Sequence, residues 1–126
     1  MVVVMEPGGK RVLVVDDNAD AADALVALLR VFGHDAQAVQ DPLRALPKVR
    51  AFDPALVILD VGMPGMDGYE LARRIREQPP PGLRLLVALT GWGKEQDVAR
   101  AIQAGFDRHV TKPITPETLT ALLESL

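Results

Sequence analysis

The sequence predicts an α/β fold in which a parallel β-sheet is covered by helices on both faces. Two observations support this fold class. Short apolar segments recur along the chain, and a continuous apolar run of about 4–8 residues suits a strand buried on both sides. Helical patterns separate these segments, and such alternation gives a three-layer sandwich with right-handed crossovers. The segments, with the polar residues that end them, are 12–17, 56–60, 85–90 and 109–113.

The first two helical patterns carry recognisable start signals. Asn18 can cap the first helix, which Gly33 ends. We expect Asp41 to cap the second helix, with Pro42 in its first turn. Pro47 lies inside this second pattern, where proline removes a hydrogen bond and clashes with the preceding turn. We therefore expect the second helix to be kinked or to start late. The first helix has one apolar stripe, formed by Leu25, Leu28, Leu29 and Phe32.

The third and fourth helices are bounded by a capping pattern and by glycine or proline. Residues 67–70 form a cap-like box that opens the third helix, which should run to about Glu77. The sequence PPPG at 79–82 then ends it. The fourth helix is predicted over 94–104, before Gly105.

The 126 residues predict one domain, residues 10–126, after a flexible leader of residues 1–9. The domain ends with a fifth helix, which has Thr115 as its cap and Pro116 in its first turn. Its buried face should consist of Leu119, Leu122, Leu123 and Leu126.

Composition and charge narrow the function classes. A formal net charge of −3 argues against a nucleic-acid-binding module. The sequence contains no cysteine, so disulfides, thiolate catalysis and cysteine metal sites are excluded, and a cytoplasmic location fits. No apolar run approaches the length of a membrane span, so we expect no direct contact with a membrane.

Polar side chains follow the predicted strands where each strand ends: Asp16 with Asp17, then Asp60, Thr90 and Lys112. In an open parallel sheet, ligands bind outside the carboxyl ends of the strands, so these groups should meet. Three clustered carboxylates repel one another and favour a divalent cation. The hydroxyl of Thr90 and the ammonium group of Lys112 are groups that can bind an oxyanion. The sequence therefore predicts a site for a metal and a phosphoryl group.

These residues, in this order, resemble the receiver domain of two-component response regulators over nearly the whole chain. The loop MPGMDG at 63–68 and the Lys112–Pro113 pair belong to the same pattern. The resemblance implies a flavodoxin-like (βα)5 sandwich with a five-stranded parallel sheet of order 2-1-3-4-5. That order would place the acidic pair opposite Asp60.

The resemblance also implies a role for each residue of the site. Asp60 would be the phosphoacceptor, and Mg²⁺ would be the cofactor. Asp17 and Asp60 would bind the ion directly, Asp16 would act through water, and the carbonyl of Gly62 would complete the protein ligands. The groups on the phosphoryl oxygens would be Thr90 and Lys112, the latter in a cis peptide bond with Pro113. Taken alone, Thr90 would be read as a helix cap and Lys112 as a surface lysine.

The implied function is that of a phosphorelay switch. The phosphoryl donor would be a histidine kinase or a histidine phosphotransfer protein. Phosphorylation would change the surface made by the fourth helix, the fifth strand and the fifth helix, here called the 4-5-5 face, for partner control or homodimerisation. Such a domain phosphorylates and dephosphorylates itself and is not a turnover enzyme. The segment ALTGWG at 88–93 resembles receivers of hybrid histidine kinases, which leaves both a stand-alone protein and an excised domain open.

His109 departs from the commoner receiver pattern, in which a Tyr or Phe at this position swings inward on phosphorylation. We expect His109 to stay at the surface and to belong to a partner-binding face, because imidazole can carry charge near neutral pH. The alternative is an exposed edge-strand residue without a role.

Two other functions share parts of this pattern. A flavodoxin-like FMN carrier would need a Ser/Thr/Gly loop after the first strand for the FMN phosphate, and the acidic pair places negative charge there instead. A phosphatase resembling the haloacid dehalogenase group would need Asp-x-Asp-x-Thr after a strand. The segment DVGMP at 60–64 lacks the second acid and the threonine.

Overall fold

The computed structural model describes residues 9–63, 67–91 and 95–126. Five strands and five helices alternate along the chain, which confirms the predicted α/β class. Their bounds are β1 Arg11–Val15, α1 Ala19–Val31, β2 Asp35–Val39, α2 Pro42–Phe52, β3 Leu56–Asp60, α3 Gly68–Glu77, β4 Leu85–Thr90, α4 Glu95–Ala104, β5 Arg108–Thr111 and α5 Pro116–Glu124. The predicted leader lies outside the described residues apart from Gly9, and so does Lys94, the predicted start of α4.

The five strands form one parallel sheet in the order β2-β1-β3-β4-β5, as predicted. Val15 is the register partner of Leu59, so the carboxyl ends of β1 and β3 lie side by side. Asp60 in turn pairs with Leu89, which places the end of β4 on its other side. The register thus gathers three strand ends at one edge of the sheet.

Helices cover both faces of the sheet, and successive strand residues alternate between two cores. Leu13 packs in a core shared with α2, α3 and α4, whereas Val14 packs in a core shared with α1 and α5. Because both faces are buried, the central strands read as continuous apolar runs rather than as alternating patterns. Over the described parts of the chain, no helix has the length and apolar character needed to span a bilayer.

Side-chain caps set the starts of four helices, as the sequence predicts. The oxygens of Asn18 and Asp41 accept hydrogen bonds from Ala21 N and Leu43 N. The capping oxygens that begin α3 and α5 belong to Asp67 and Thr115. Each cap satisfies a backbone N–H that would otherwise lack a partner in the first turn.

The second helix has the predicted cap, Asp41, and its bounds decide one of the two expected alternatives, a kink or a late start. It begins at Pro42, directly after its cap, and continues through Pro47 to Phe52, so the expected late start was wrong. Ala45 and Val49 are buried on either side of Pro47, and their packing holds the helix against the sheet. Pro47 itself is exposed, so its ring displaces no core side chain.

Replacement of Pro47 by alanine should stabilise the protein by about 1–2 kcal/mol. The substitution restores one helical hydrogen bond and relieves a steric clash, and these gains exceed the entropy that proline removes from the unfolded chain. Urea unfolding measures the difference. Pro42→Ala is the control, because a proline in the first turn costs no hydrogen bond. An unchanged or lower stability of Pro47→Ala would contradict this account of α2.

Candidate functional site

The predicted site residues meet at the carboxyl edge of the sheet. One carboxylate oxygen from each of Asp16, Asp17 and Asp60 lies within 4.8 Å of the others. Asp16 and Asp60 are 3% exposed and Thr90 is 4% exposed, whereas Asp17 is open to solvent. The pocket therefore has a buried floor and an accessible acidic rim.

Asp60 ends β3, and both of its carboxylate oxygens have a partner. The backbone N–H of Gly62 donates to Oδ1 at 2.9 Å, and Lys112 Nζ donates to Oδ2 at 2.7 Å. The Asp60 side chain is 4% exposed and that of Lys112 is 37% exposed. The ammonium group thus reaches into the pocket from its open side and compensates a buried negative charge.

The charged groups of the site shift the pKa values of Asp16 and Lys112. Burial raises the pKa of Asp16, and the nearby Asp60 carboxylate raises it further, although the backbone N–H of Asn18 acts in the opposite direction. Burial alone would lower the pKa of Lys112, but its hydrogen bond to Asp60 and the charges of the three aspartates raise it by more. Three carboxylates face one ammonium group, so negative charge is in excess at the pocket.

This donor set fits a hard divalent cation. The three side chains offer carboxylate oxygens only, which magnesium and calcium prefer over nitrogen or sulfur ligands. A cation at this position would also oppose the repulsion that raises the pKa of Asp16. The predicted ligand Gly62 lies in the same turn as Asp60, because its N–H closes that turn onto the carboxylate.

Backbone packing fixes the segment that follows Asp60. A Cβ added to Gly68 would lie 2.6 Å from Val61 Cα and 3.2 Å from the carbonyl oxygen of Asp60. The first turn of α3 therefore lies directly against the strand end, and only glycine permits this approach. On the other side, Val61 N donates to Leu89 O at 3.2 Å.

Thr90 ends β4 and contacts β5 through its side chain and its main chain. Its Oγ1 lies 2.8 Å from Nε2 of His109. Its carbonyl accepts a hydrogen bond of 2.7 Å from Lys112 N. The Lys112–Pro113 peptide bond is cis, as the resemblance implies.

His109 is less exposed than the sequence predicts. The residue is partly buried, and its ring points to the hydroxyl of Thr90. The register of β4 and β5, in which Ala88 pairs with His109 and Thr90 with Thr111, brings the two side chains together. Strand lengths in the sequence do not reveal this register, so the contact could not be derived from the pattern.

A second contact absent from the sequence prediction joins α3 and α4. The guanidinium of Arg100 lies 4.2 Å from the ring centroid of Tyr69, and its Nη2 lies 3.3 Å from Asp67 Oδ2. Asp67 is the cap of α3, so Arg100 links α4 to the start of the helix that packs against the Asp60 segment.

An open cavity of about 420 Å³ adjoins the acidic pocket between α1 and the segment after β5. Its polar lining residues include Asp16, Asn18 and Lys112. Its apolar wall consists largely of Leu25, Leu28, Leu89, Pro113 and Ile114. The pocket is thus approached over a surface that is apolar on one side and charged on the other.

Known proteins share this sequence pattern and fold. A family model described as the response regulator receiver domain matches residues 12–124. An uncharacterised 14.6 kDa protein of Leptolyngbya boryana is 36% identical over 113 residues, which cover 90% of this chain and 86% of that protein. The DNA-binding response regulator MtrA of Mycobacterium tuberculosis is 36% identical over 117 residues, 93% of this chain and 50% of MtrA. The chain therefore spans about half the length of MtrA.

Similarity to solved structures extends over the same region. The structure of the chemotaxis response regulator CheY4 of Vibrio cholerae superposes with a TM-score of 0.84 at 27% identity, covering 94% of this chain and 99% of that one. A CheY-like receiver domain protein from Methanospirillum hungatei gives a TM-score of 0.83 at 25% identity, covering 92% of this chain and 91% of that one. Each likeness thus covers more than nine-tenths of this chain.

Proposed function

The chain belongs to the response regulator receiver domain family, and from this premise we propose that it is the phosphoacceptor of a cytoplasmic two-component phosphorelay. Asp60 is the residue that becomes phosphorylated. The observation that carries the assignment is the position of Asp60, which shares the pocket with two further carboxylates and is bound by Lys112 at 2.7 Å. No other aspartate of the pocket has an ammonium partner among the described side-chain contacts.

Asp60 acts as an oxygen nucleophile. An aspartate carboxylate is ionised at neutral pH and needs no general base. One of its oxygens attacks the phosphorus of a phosphohistidine donor, an O–P bond forms, and the P–N bond to the imidazole breaks. The imidazole takes up a proton as it leaves, and water later hydrolyses the acyl phosphate. Because the phosphoryl group stays on the chain between these steps, the domain works as a switch rather than as a turnover enzyme.

Mg²⁺ is the proposed cofactor. Asp17 and Asp60 would hold it directly, with the carbonyl of Gly62, and Asp16 would hold it through water. When bound, the ion would offset the negative charge that accumulates when an anionic carboxylate approaches an anionic phosphoryl group. The exposed position of Asp17 supports this assignment, because the ion needs a route from solvent and must keep several of its waters.

Two side chains would bind the phosphoryl oxygens. Lys112 already touches Asp60 Oδ2, so its ammonium group is within reach of a phosphoryl group attached there. Thr90 follows Leu89, the register partner of Asp60, and its hydroxyl can donate to a phosphoryl oxygen. Lys112 would exchange its contact with the Asp60 carboxylate for one with a phosphoryl oxygen, and Thr90 would gain a charge-assisted hydrogen bond.

The donor would be a histidine kinase or a histidine phosphotransfer protein that docks beside the pocket. The cavity between α1 and the segment after β5 offers an apolar surface next to Lys112, which suits a protein partner that must bring an imidazole close to Asp60. MtrA is named as a DNA-binding regulator, but it is about twice as long as this chain. For this chain we propose protein partners and no direct contact with nucleic acid or membrane.

The proposed output is a change in the 4-5-5 face, which is formed by α4, β5 and α5. The sheet ends at β5, so this strand presents an edge between the two helices. A movement of Thr90 towards the phosphoryl group would act on β5 through His109 and through the Lys112 N–H bond. The face would control a partner protein or pair with a second copy of the chain.

Replacement of Asp60 by asparagine should abolish phosphorylation. With acetyl phosphate and Mg²⁺, the wild-type chain should gain the mass of one phosphoryl group, whereas Asp60→Asn should gain none, because an amide is a poor nucleophile. Intact-mass spectrometry measures both. Asp23→Asn is the control, since Asp23 is exposed on α1 away from the carboxylate cluster. Full labelling of Asp60→Asn at another residue would exclude Asp60 as the acceptor.

Replacement of Asp17 by alanine should have opposite effects on metal binding and on stability. Mg²⁺ affinity should fall at least about tenfold, or 1.4 kcal/mol, because a direct ligand is lost. Without the ion, the free energy of unfolding should rise, because repulsion among the carboxylates decreases. Isothermal titration and urea unfolding measure the two quantities.

Asp20→Ala is the matched control for Asp17→Ala. It removes the same charge from the first turn of α1, where an acidic residue is favourable, so stability should fall slightly and Mg²⁺ affinity should not change. Equal Mg²⁺ affinity of Asp17→Ala and the wild type would refute the metal assignment.

Activation should alter the backbone of the 4-5-5 face. With beryllofluoride and Mg²⁺ as a phosphoryl analogue, amide chemical shifts over residues 91–112 should move, because Thr90 would be drawn towards the analogue. A coupling of about 1–3 kcal/mol is the usual size for such a response. Amides of β2 at the far edge of the sheet provide the internal control. Shifts confined to the pocket would mean that phosphorylation has no output at this face.

A further inference from the structure

The hydrogen bond between Thr90 Oγ1 and His109 Nε2 decides where the Thr90 hydroxyl can donate its proton. The two atoms are 2.8 Å apart, and Thr90 as a residue is 4% exposed. A hydroxyl has one proton to donate and two lone pairs to accept with, and a ring nitrogen either donates or accepts. If Nε2 accepts, the only proton of Thr90 points to His109. If Nε2 carries the proton, that of Thr90 stays free for another acceptor.

The charges around the pocket favour the second arrangement. Thr90 lies one residue beyond Leu89, the register partner of Asp60, so its hydroxyl is near the end of the sheet that carries three carboxylates and one ammonium group. A hydroxyl dipole turns its proton towards an excess of negative charge. The lone pairs then face β5, where His109 lies, and Nε2 must supply the proton of the bond.

We propose that His109 is the positioning residue of Thr90: its Nε2–H donates to Oγ1 and leaves the proton of Thr90 for a phosphoryl oxygen on Asp60. The contact then survives phosphorylation, because Thr90 uses a lone pair towards His109 and its proton towards the phosphoryl group. This inference rests on the proposed phosphoacceptor function and adds a residue to it.

A double-mutant cycle tests whether His109 acts through Thr90. The rate of labelling by acetyl phosphate with Mg²⁺ is measured by intact mass for the wild type, His109→Leu, Thr90→Val and the double variant. His109→Leu should slow labelling about fivefold, the rate equivalent of one ordinary hydrogen bond. In the Thr90→Val background the same substitution should change the rate by less than about twofold, because no hydroxyl remains to be positioned.

Two further variants separate positioning from folding. His109→Gln keeps an N–H donor of similar reach, so it should label within about twofold of the wild type. His34→Leu is the control for loss of a histidine. His34 precedes β2 at the opposite end of the sheet, where its Nδ1 accepts from Lys10 N, and its loss should leave the labelling rate unchanged.

The protonation of the ring gives a second readout that needs no variant. In the wild-type protein with beryllofluoride and Mg²⁺, the ¹⁵N chemical shift of His109 Nε2 should be that of a protonated ring nitrogen. An unprotonated Nε2 would overturn the proposal. So would an equal effect of His109→Leu with and without the Thr90 hydroxyl, or a rate for His109→Leu equal to that of the wild type. Absence of labelling in the wild type would instead overturn the phosphoacceptor function, and the role of His109 would fall with it.

Discussion

The ion pair between Lys112 and Asp60 is the contact on which the pocket depends. Asp60 is held at the end of a fully buried strand, where an unpaired carboxylate would be strongly unfavourable. The lysine that compensates this carboxylate follows the edge strand β5, 52 residues later in the sequence. The lysine side chain is 37% exposed, so solvent screens this pair more than it would screen a fully buried one. The same bond ties the segment after β5 to the end of β3.

This arrangement leaves the site less stable than it could be. Asp16 is buried next to Asp60 and has a raised pKa, so folding places two like charges together in a poorly hydrated position. An apolar or neutral residue would avoid that cost. A pocket with an excess of negative charge, however, is stabilised more by a bound cation, or by the loss of one negative charge, than a neutral pocket is. The excess of negative charge that lowers the stability of the fold therefore also favours the binding of a cation.

Local signals in the sequence were sufficient for much of the fold and for the composition of the site. The caps Asn18 and Asp67 bond to residues only a few positions away. A polar residue at the end of an apolar run marks the end of a strand, whichever strands lie beside it in the sheet. Contacts that depend on register or on the packing of two helices were not accessible in this way. The bond from His109 to Thr90 requires the alignment of β4 with β5. The late start expected for α2 failed because burial on both sides of Pro47 outweighed a local preference.

Because of Gly68, the wall of the pocket that follows Asp60 is stiffer than the other walls. The backbone of this glycine lies against Val61 with no side chain between them, and main-chain atoms cannot yield by changing rotamer. The peptide that follows Asp60 is therefore held by bond geometry and by a helix end. Lys112, by contrast, reaches the pocket through four rotatable methylene groups, and Thr90 through a hydroxyl that contacts His109. Asp60 is the fixed reference point of the site, and adjustments to a bound group fall to the side chains that surround it.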